Sequence, residues 1–532
     1  MYKNIFINQC GYLPGMSKFV TIVSDHEIKF SLVKAGGTHV FSGVADRRIE
    51  NEASKETVYI GDFSAVDAPG RYYVQTENGS ESDIFEISDT VYDDLMQKTM
   101  KFFYLQRCGC DLPPKYAGMY AHPACHTKKA YVYGAADGDR FDVSGGWHDA
   151  GDYGRYIVPA GMAVAQLLLA YEANTDFFAQ YSNPVGSGLP DYLEEVKYEL
   201  DWMLKLQRPD GQVYHKSTCA RFCGFIMPED EKEDIILSPV SITATANFAA
   251  SLALAVRFYE PYDKAYAAVL AEASKRAYAS LSSIECNEEW IFKNPEGIST
   301  GGYGDRSYTD ELYWAAAELY RAFGDETYRN DFEALANKGI LHGYGWTNVA
   351  SYGNLAYLAS SYPTDEALCR KITDSMIALA DEKLAVVQND GYHTALKPQD
   401  YCWGSNLSVA NFGIHLADAA RLTGDPKYLT AAAAQLHYLL GRNPMGISYV
   451  SGCGTYSMAH PHHRPSGFLG KAMPGMLSGG PCMWRADAAA KAVLTPETPP
   501  AKAYVDMLGS YSTNEVTVYW NSALLMLLGM IV

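Results

Sequence analysis

Near Asp89 the apolar periodicity of the chain changes, and that change limits what each part can fold into. From Ile5 to about Ser88 the apolar residues alternate in short runs such as "KFVTIV", "KFSLVKAG", "TVYIGDF" and "GRYYVQT", separated by "LPG", "AGG" and "APG". Period-two runs broken by turn residues at this spacing predict a small β-sandwich over residues 1–88. After Asp89, segments such as "DDLMQKTMKFFYLQRC", "SITATANFAASLALAVRFY" and "YTDELYWAAAELYRAFG" place apolar residues at i, i+3 and i+4, the signature of packed helices. Two connections resemble each other, "RAFGDETYRNDFEALA" from Arg321 and "RLTGDPKYLTAAAAQL" from Arg421. Each reads as helix, Gly-Asp turn, helix, with Gly324 and Gly424 at the position after a helix where positive φ is needed. Roughly a dozen Ala-rich helices built as hairpins over residues 89–532 exceed what one four-helix core can use. The expected fold is therefore mainly α, an (α/α)6 barrel preceded by the sandwich.

Composition narrows the function. Lys and Arg total 43 against 62 Asp and Glu, a formal net charge of −19, which repels phosphate backbones and anionic lipid. Neither nucleic acid nor a membrane is an expected partner, and no run of 18 uncharged apolar residues is present. The N-terminus lacks the apolar segment and cleavage site of a signal peptide, so the expectation is a cytoplasmic chain or a mature secreted form. Eleven cysteines scattered through 532 residues do not resemble the disulfide framework of a short secreted domain. Free thiols and a metal site are the better expectation.

Three long joins carry the chemistry-bearing residues: Cys108 to Arg155, Gly441 to Pro481 and Thr495 to Asn514. In the first, Cys108 or Cys110, Cys125 with His126, and His148 offer two thiolates and two imidazoles, the donor set of a closed tetrahedral zinc site. Such a site has a structural role, because four protein ligands leave no open position for a reaction. The same join ends in "SGGWHDAGDYGRY", a Gly-rich turn holding Asp149 and Asp152. Two carboxylates so placed repel each other unless something lies between them. "DGDRFD" (Asp137, Asp139, Asp142) has neither the spacing nor the final Glu of a calcium loop. The second join gathers His460, His462, His463 and Arg464, a set suited to a neutral, hydroxyl-rich ligand. Just after the third, Glu515 stands at an expected helix start before an almost wholly apolar helix, an environment that favours a protonated carboxyl.

"GGWHDAGDYGRY", "SYVSGCG" through "PHHR", and "YVDMLGSYSTNEVTVYWNS" together resemble glycoside hydrolase family 9, the inverting β-1,4-glucanases, and "NQCGYLPG" is similar to the start of the immunoglobulin-like module that precedes many of them. The resemblance implies that Asp152 is the general base, Asp149 its helper in holding the nucleophilic water, and Glu515 the general acid. An inverting arrangement sets the acid and base about 6.5–9.5 Å apart. It further implies substrate contacts from His462, Arg464 and Tyr511, and structural zinc on Cys108, Cys125, His126 and His148, with Cys110 a free neighbour. The family's calcium pair matches Asp310 and Glu311, but the more distant Asp falls at Gly353, so calcium is the less supported ion. Tyr456 also departs from the family's histidine motif.

The expected function is inverting hydrolysis of β-1,4-glucosidic bonds in cellulose, soluble β-glucan or cello-oligosaccharides, as an endoglucanase. The alternatives are an exo-acting cellodextrinase, a chitosan-oligosaccharide exo-hydrolase, or a carbohydrate-binding protein without activity. A zinc hydrolase is disfavoured by the closed donor set.

Overall fold

The structure is a computed structural model that describes residues 4–135, 140–183, 186, 188–281 and 290–532. Asp137 and Asp139 lie outside the described residues, whereas Asp142 accepts hydrogen bonds from the backbone and hydroxyl of Ser144. Nine strands come first: β1 (Ile5–Phe6), β2 (Gly11–Tyr12), β3 (Phe19–Val23), β4 (Ile28–Lys34), β5 (His39–Ala45), β6 (Arg47–Asn51), β7 (Glu56–Asp62), β8 (Gly70–Thr76) and β9 (Phe85–Ile87). They form two sheets, ordered β1-β3-β7-β6 and β2-β9-β8-β4-β5. In β4 the alternation is direct: Ile28, Phe30 and Leu32 are buried while Lys29 and Lys34 are exposed. With Val20, Ile22, Tyr72, Val74 and Phe85 they make the sandwich core.

Twelve helices of nine or more residues follow among the described residues, the first at Asp93–Leu105 and the last at Val518–Ile531. Both Gly-Asp turns form as the repeated segments predict. Gly324 and Gly424 take φ of 72° and 70°, and each donates its N–H to the carbonyl four residues back, on Tyr320 and Ala420. Asp325 and Asp425 then cap the following helices through Thr327 N and Lys427 N. Among the described residues no helix is long and apolar enough to cross a membrane, and the ten described cysteines form no disulfide.

The chain divides into two compact units, Met1–Phe102 with Ile377–Val532, and Phe103–Met376. Within the first, the sandwich is fastened to the helical part by buried polar contacts. Gln9 Nε2 donates to Gly446 O (2.9 Å), Tyr456 N donates to Gln9 Oε1 (2.7 Å), and Thr21 Oγ1 donates to Gly391 O (2.8 Å). Tyr456, the departure noted in the histidine motif, thus meets the sandwich through its backbone while its side chain is exposed. Helix Val518–Ile531 packs on Ser405–Thr423 and Pro426–Leu439. Within the second unit, helix Ile242–Tyr259 lies against Ile157–Ala173, Lys264–Leu281 and Thr309–Phe323. Contact on several sides explains why it carries alanine and no charge before Arg257. A five-stranded sheet in this unit joins β10 (Ala130–Val132), β11 (Arg140–Phe141), β12 (Arg155–Tyr156), β13 (Lys216–Thr218) and β14 (Ile236–Leu237) in the order β11-β10-β14-β13-β12.

Candidate active site and metal centres

In the second unit the turn from Gly145 to Tyr156 is fixed at both ends. Gly145 and Gly146 adopt φ of 107° and 73°, and a Cβ on Gly146 would meet the Trp202 ring at 2.7 Å. Trp147 donates its backbone N–H to Glu199 (2.5 Å) and its indole N–H to Glu195 (2.9 Å). His148 N donates to Gln106 O, and Gln106 Nε2 donates back to the carbonyls of His148 and Ala150. Asp149 N closes the turn on Gly154 O at 2.9 Å.

Both carboxyls of this turn are buried, and each accepts a tyrosine hydroxyl. Tyr303 OH donates to Asp149 Oδ2 at 2.5 Å, and Tyr156 OH donates to Asp152 Oδ2 at 3.1 Å. Gly154 N also donates to Asp152 Oδ2 (2.9 Å). A Cβ on Gly154 would lie 2.4 Å from the Tyr156 hydroxyl and 2.7 Å from that oxygen, so glycine is required for this approach. Burial, and then the charge of Asp152, push Asp149 well above the usual carboxylate range, against the lowering bond from Tyr303.

Tyr303 is absent from the expected site. It takes φ of 44°, a strained value for a bulky side chain, and its ring meets the edges of Tyr156 (4.9 Å) and Trp346 (5.2 Å). The flanking "GGYGD" run was the available hint: Gly301 packs on the Tyr156 ring, and a Cβ on Gly304 would strike Phe292 O.

Cys108, Cys125, His126 and His148 converge, their ligand atoms all within 4.8 Å of one another; Cys110 stands outside the group. His126 Nδ1 is buried without a hydrogen-bond partner, while its Nε2 meets Glu231 Oε2 at 2.8 Å. An orphaned ring nitrogen facing two thiols, with the opposite nitrogen held by a carboxylate, fits a metal ligand and its outer support. A second group differs from the sequence expectation. Asp310 and Glu311 are joined by Asp305, not by position 353, where a Cβ on Gly353 would meet Tyr313 and Trp314 at 2.9–3.1 Å. Both carboxylate oxygens of Glu311 and Oδ2 of Asp305 are buried without partners. Asp310 Oδ2 accepts Val349 N at 2.9 Å, and the unpartnered oxygens of its two neighbours suit an oxygen-coordinated cation.

In the first unit, Glu515 is half-buried and not in a helix. Its backbone is extended (φ −67°, ψ 161°) after the short helix Tyr511–Asn514, where it bridges His462, and Gly479 N donates to its carbonyl at 2.9 Å. The helix expected to begin here starts at Val518, capped by Thr517, whose hydroxyl accepts Trp520 N at 3.0 Å. The strand-like link holds Glu515 beside the histidine segment. Asp506 fastens the two, accepting His460 N (2.7 Å) and Asn514 Nδ2 (2.8 Å). Asp487 supports the short helix before Glu515 by accepting Ser512 N and both Ser510 and Ser512 hydroxyls.

The residues expected to meet a ligand have separate roles. His462 Nδ1 lies 2.7 Å from Leu508 O, which makes Nδ1 the protonated nitrogen. Its ring meets Tyr511 edge-on at 5.9 Å. Tyr511 in turn packs on Trp403 (5.2 Å), a residue that is 41% exposed and that the sequence reading missed. Arg464 is buried at the first position of helix Arg464–Leu469, and His463 caps that helix through Ser466. His463 is thus a structural member of the cluster.

Comparison with known proteins places the chain in a family. Residues 92–528 match the model of glycosyl hydrolase family 9, and residues 1–81 match the cellulase N-terminal ig-like domain. A cellodextrinase of Butyrivibrio fibrisolvens is 37% identical over 98% of both chains. The crystal structure of a single mutant of a thermostable endoglucanase from Alicyclobacillus acidocaldarius superposes with a TM-score of 0.94 at 36% identity, over 99% of each chain. A Zn-binding triple mutant of the family 9 endoglucanase J30 superposes at 0.92 with 33% identity, over 98% of this chain and 99% of that one. The fold class expected from the sequence, an (α/α)6 barrel preceded by an immunoglobulin-like β-sandwich, is the one these matches support. The chain belongs to glycosyl hydrolase family 9.

Proposed function

We propose that this chain is an endo-β-1,4-glucanase that hydrolyses cellulose, soluble β-glucan or cello-oligosaccharides with inversion, its catalytic domain being residues 89–532 and its sandwich residues 1–88. The observation that carries the reading is the buried Asp149 and Asp152 pair on one glycine-shaped turn, each acid under a tyrosine hydroxyl, in a chain of this family. Asp152 is the general base, which takes a proton from the attacking water. Asp149 positions that water with it. Glu515 is the general acid, which protonates the departing glycosidic oxygen. His462, Arg464 and Tyr511 contact the sugar chain.

Cys108, Cys125, His126 and His148 hold structural zinc, which supplies a cross-link and no open coordination position. His148 ties that cross-link to the turn, because Asp149 is the next residue. Asp305, Asp310 and Glu311 are the candidate calcium ligands. Cys125→Ser is expected to abolish stoichiometric zinc, measured by metal analysis, and to lower Tm by several degrees. Unchanged zinc and Tm would mean that the cysteines are only buried. Tyr303→Phe is expected to lower kcat about 10- to 100-fold with KM little changed, since a buried polar atom left without its hydrogen bond costs about 1–3 kcal/mol. An unchanged kcat would remove Tyr303 from the water-holding arrangement.

An exo-acting cellodextrinase is the second reading, favoured by the relative that covers 98% of both chains. Product analysis on cellohexaose and carboxymethyl-cellulose separates the two. Falling polymer viscosity with a spread of oligomers supports the endoglucanase. Release of one short sugar with the polymer untouched supports the cellodextrinase.

A further inference from the structure

Lys216 is a fully buried cation that the reaction described above does not use. It sits on β13, where it pairs with Tyr156 of β12. Among the described residues its ammonium meets no carboxylate within ion-pair distance. Its three N–H bonds instead go to Asn294 Oδ1 (2.6 Å), Thr300 Oγ1 (3.0 Å) and Gly301 O (2.6 Å). The rings of Tyr156 and Phe292 cover it, with centroids 5.5 and 5.7 Å from Nζ. Burying an ammonium among neutral oxygens is far more costly than burying a methionine of similar size, so a purely space-filling role does not account for it.

The three acceptors lie on one short segment, and that segment reaches both carboxyls. Gly301 N donates to the Tyr156 hydroxyl at 3.1 Å, and the same hydroxyl donates to Asp152. Two residues on, Tyr303 donates to Asp149 from its strained backbone. The neighbouring His215 holds the intervening residue, its Nε2 2.8 Å from Gly302 O and its ring stacked on Phe292 at 3.6 Å. Asn294 Nδ2 also donates to Thr300 O (2.6 Å). The segment is therefore gripped from one side by the consecutive residues His215 and Lys216.

We propose that Lys216 is a positioning residue for the carboxylate pair: its tetrahedral ammonium clamps Asn294, Thr300 and Gly301, which seats Tyr156 on Asp152 and Tyr303 on Asp149, and it places a positive charge behind the base. The proposal rests on the reading of Asp152 as the base. The charge of Asp152 acts on Lys216 and opposes the burial that pulls its pKa down to about 7. The charged or titratable groups around Asp152 are thus Lys216, Asp149 and Tyr156. Arginine cannot replace this lysine, since a planar fork does not reach three acceptors arranged around a point.

The test is steady-state kinetics of Lys216→Met and Lys216→Gln on cellotetraose across pH, with Tm measured in parallel. Lys216→Met is expected to lower kcat about 10- to 100-fold, the effect of losing charge-assisted bonds, with KM within about twofold. Removing a nearby positive charge raises a carboxylate's pKa, so the acid limb of kcat/KM should move to higher pH. Lys216→Gln keeps a donor without the charge and should show the same pH displacement with a smaller fall in kcat. A lower Tm with wild-type kcat and an unmoved acid limb would overturn the proposal. If Lys216→Met is recovered unfolded, Thr300→Val removes one clamp acceptor and decides: reduced kcat with unchanged KM supports the clamp, and wild-type kcat refutes it. Asp152→Ala, assayed alongside, separates the two claims. If it is inactive while the Lys216 variants turn over normally, only the clamp fails, and if it is active, the base assignment itself fails.

Discussion

Asp152→Ala is expected to lower kcat on cellotetraose by roughly a hundred- to ten-thousandfold, the range for losing a positioned general base, while the sugar still binds. The substitution removes the carboxylate that accepts Tyr156 OH and Gly154 N and leaves both donors buried, at a cost of about 1–3 kcal/mol each when unpaired. A modest fall in Tm should therefore accompany the loss of rate, and calorimetric titration of cellotetraose should show affinity near that of the wild type. The defect should be independent of the leaving group, because the base acts on the water. Near-normal turnover would remove Asp152 from the mechanism.

Glu515→Gln should give a loss in the same range on cello-oligosaccharides, with the opposite dependence on substrate. An aryl cellobioside whose phenol leaves without protonation needs no general acid, so on it the variant should recover most of the wild-type rate. The pair of variants thus distinguishes acid from base by leaving-group response. Equal losses on both substrates would mean that Glu515 supports the site without donating the proton.

The parts legible in the sequence were those whose physics is local. Period-two runs marked the sandwich strands, helical spacing marked segments such as Ile242–Tyr259, and Gly324 and Gly424 announced their turns because only a left-handed residue ends those helices cheaply. The carboxyl pair was legible because both acids lie within one turn. What escaped depended on distant residues. Tyr303 lies 154 residues from Asp149, too far along the chain for any local pattern to link the two. Lys216 reads as an ordinary surface lysine until Asn294, Thr300 and Gly301 surround it. Asp305 was passed over because the family pattern points to Gly353, where packing against Tyr313 and Trp314 excludes a side chain. The helix start was misplaced at Glu515 because the apolar run begins at Val516. The extended link to His462 and Ser478 takes up those residues first, and the N-cap signal was Thr517.

The two metal groups differ in the same way. Thiols and imidazoles point to a metal by their chemistry alone, and Cys108, Cys125, His126 and His148 converge as the donor types predict. Acids at a helix start are ordinary, so Asp310 and Glu311 gained meaning only when the structure set them beside Asp305 and buried both Glu311 oxygens without hydrogen bonds.

The central claim, inverting cleavage of a β-1,4-glucosidic bond, is tested most directly by proton NMR of cellohexaose in the first minutes of digestion, before mutarotation mixes the anomers. The account predicts that the new reducing ends appear first as the α-anomer. Initial appearance of the β-anomer would contradict it, because retention requires a carboxylate that attacks the sugar itself.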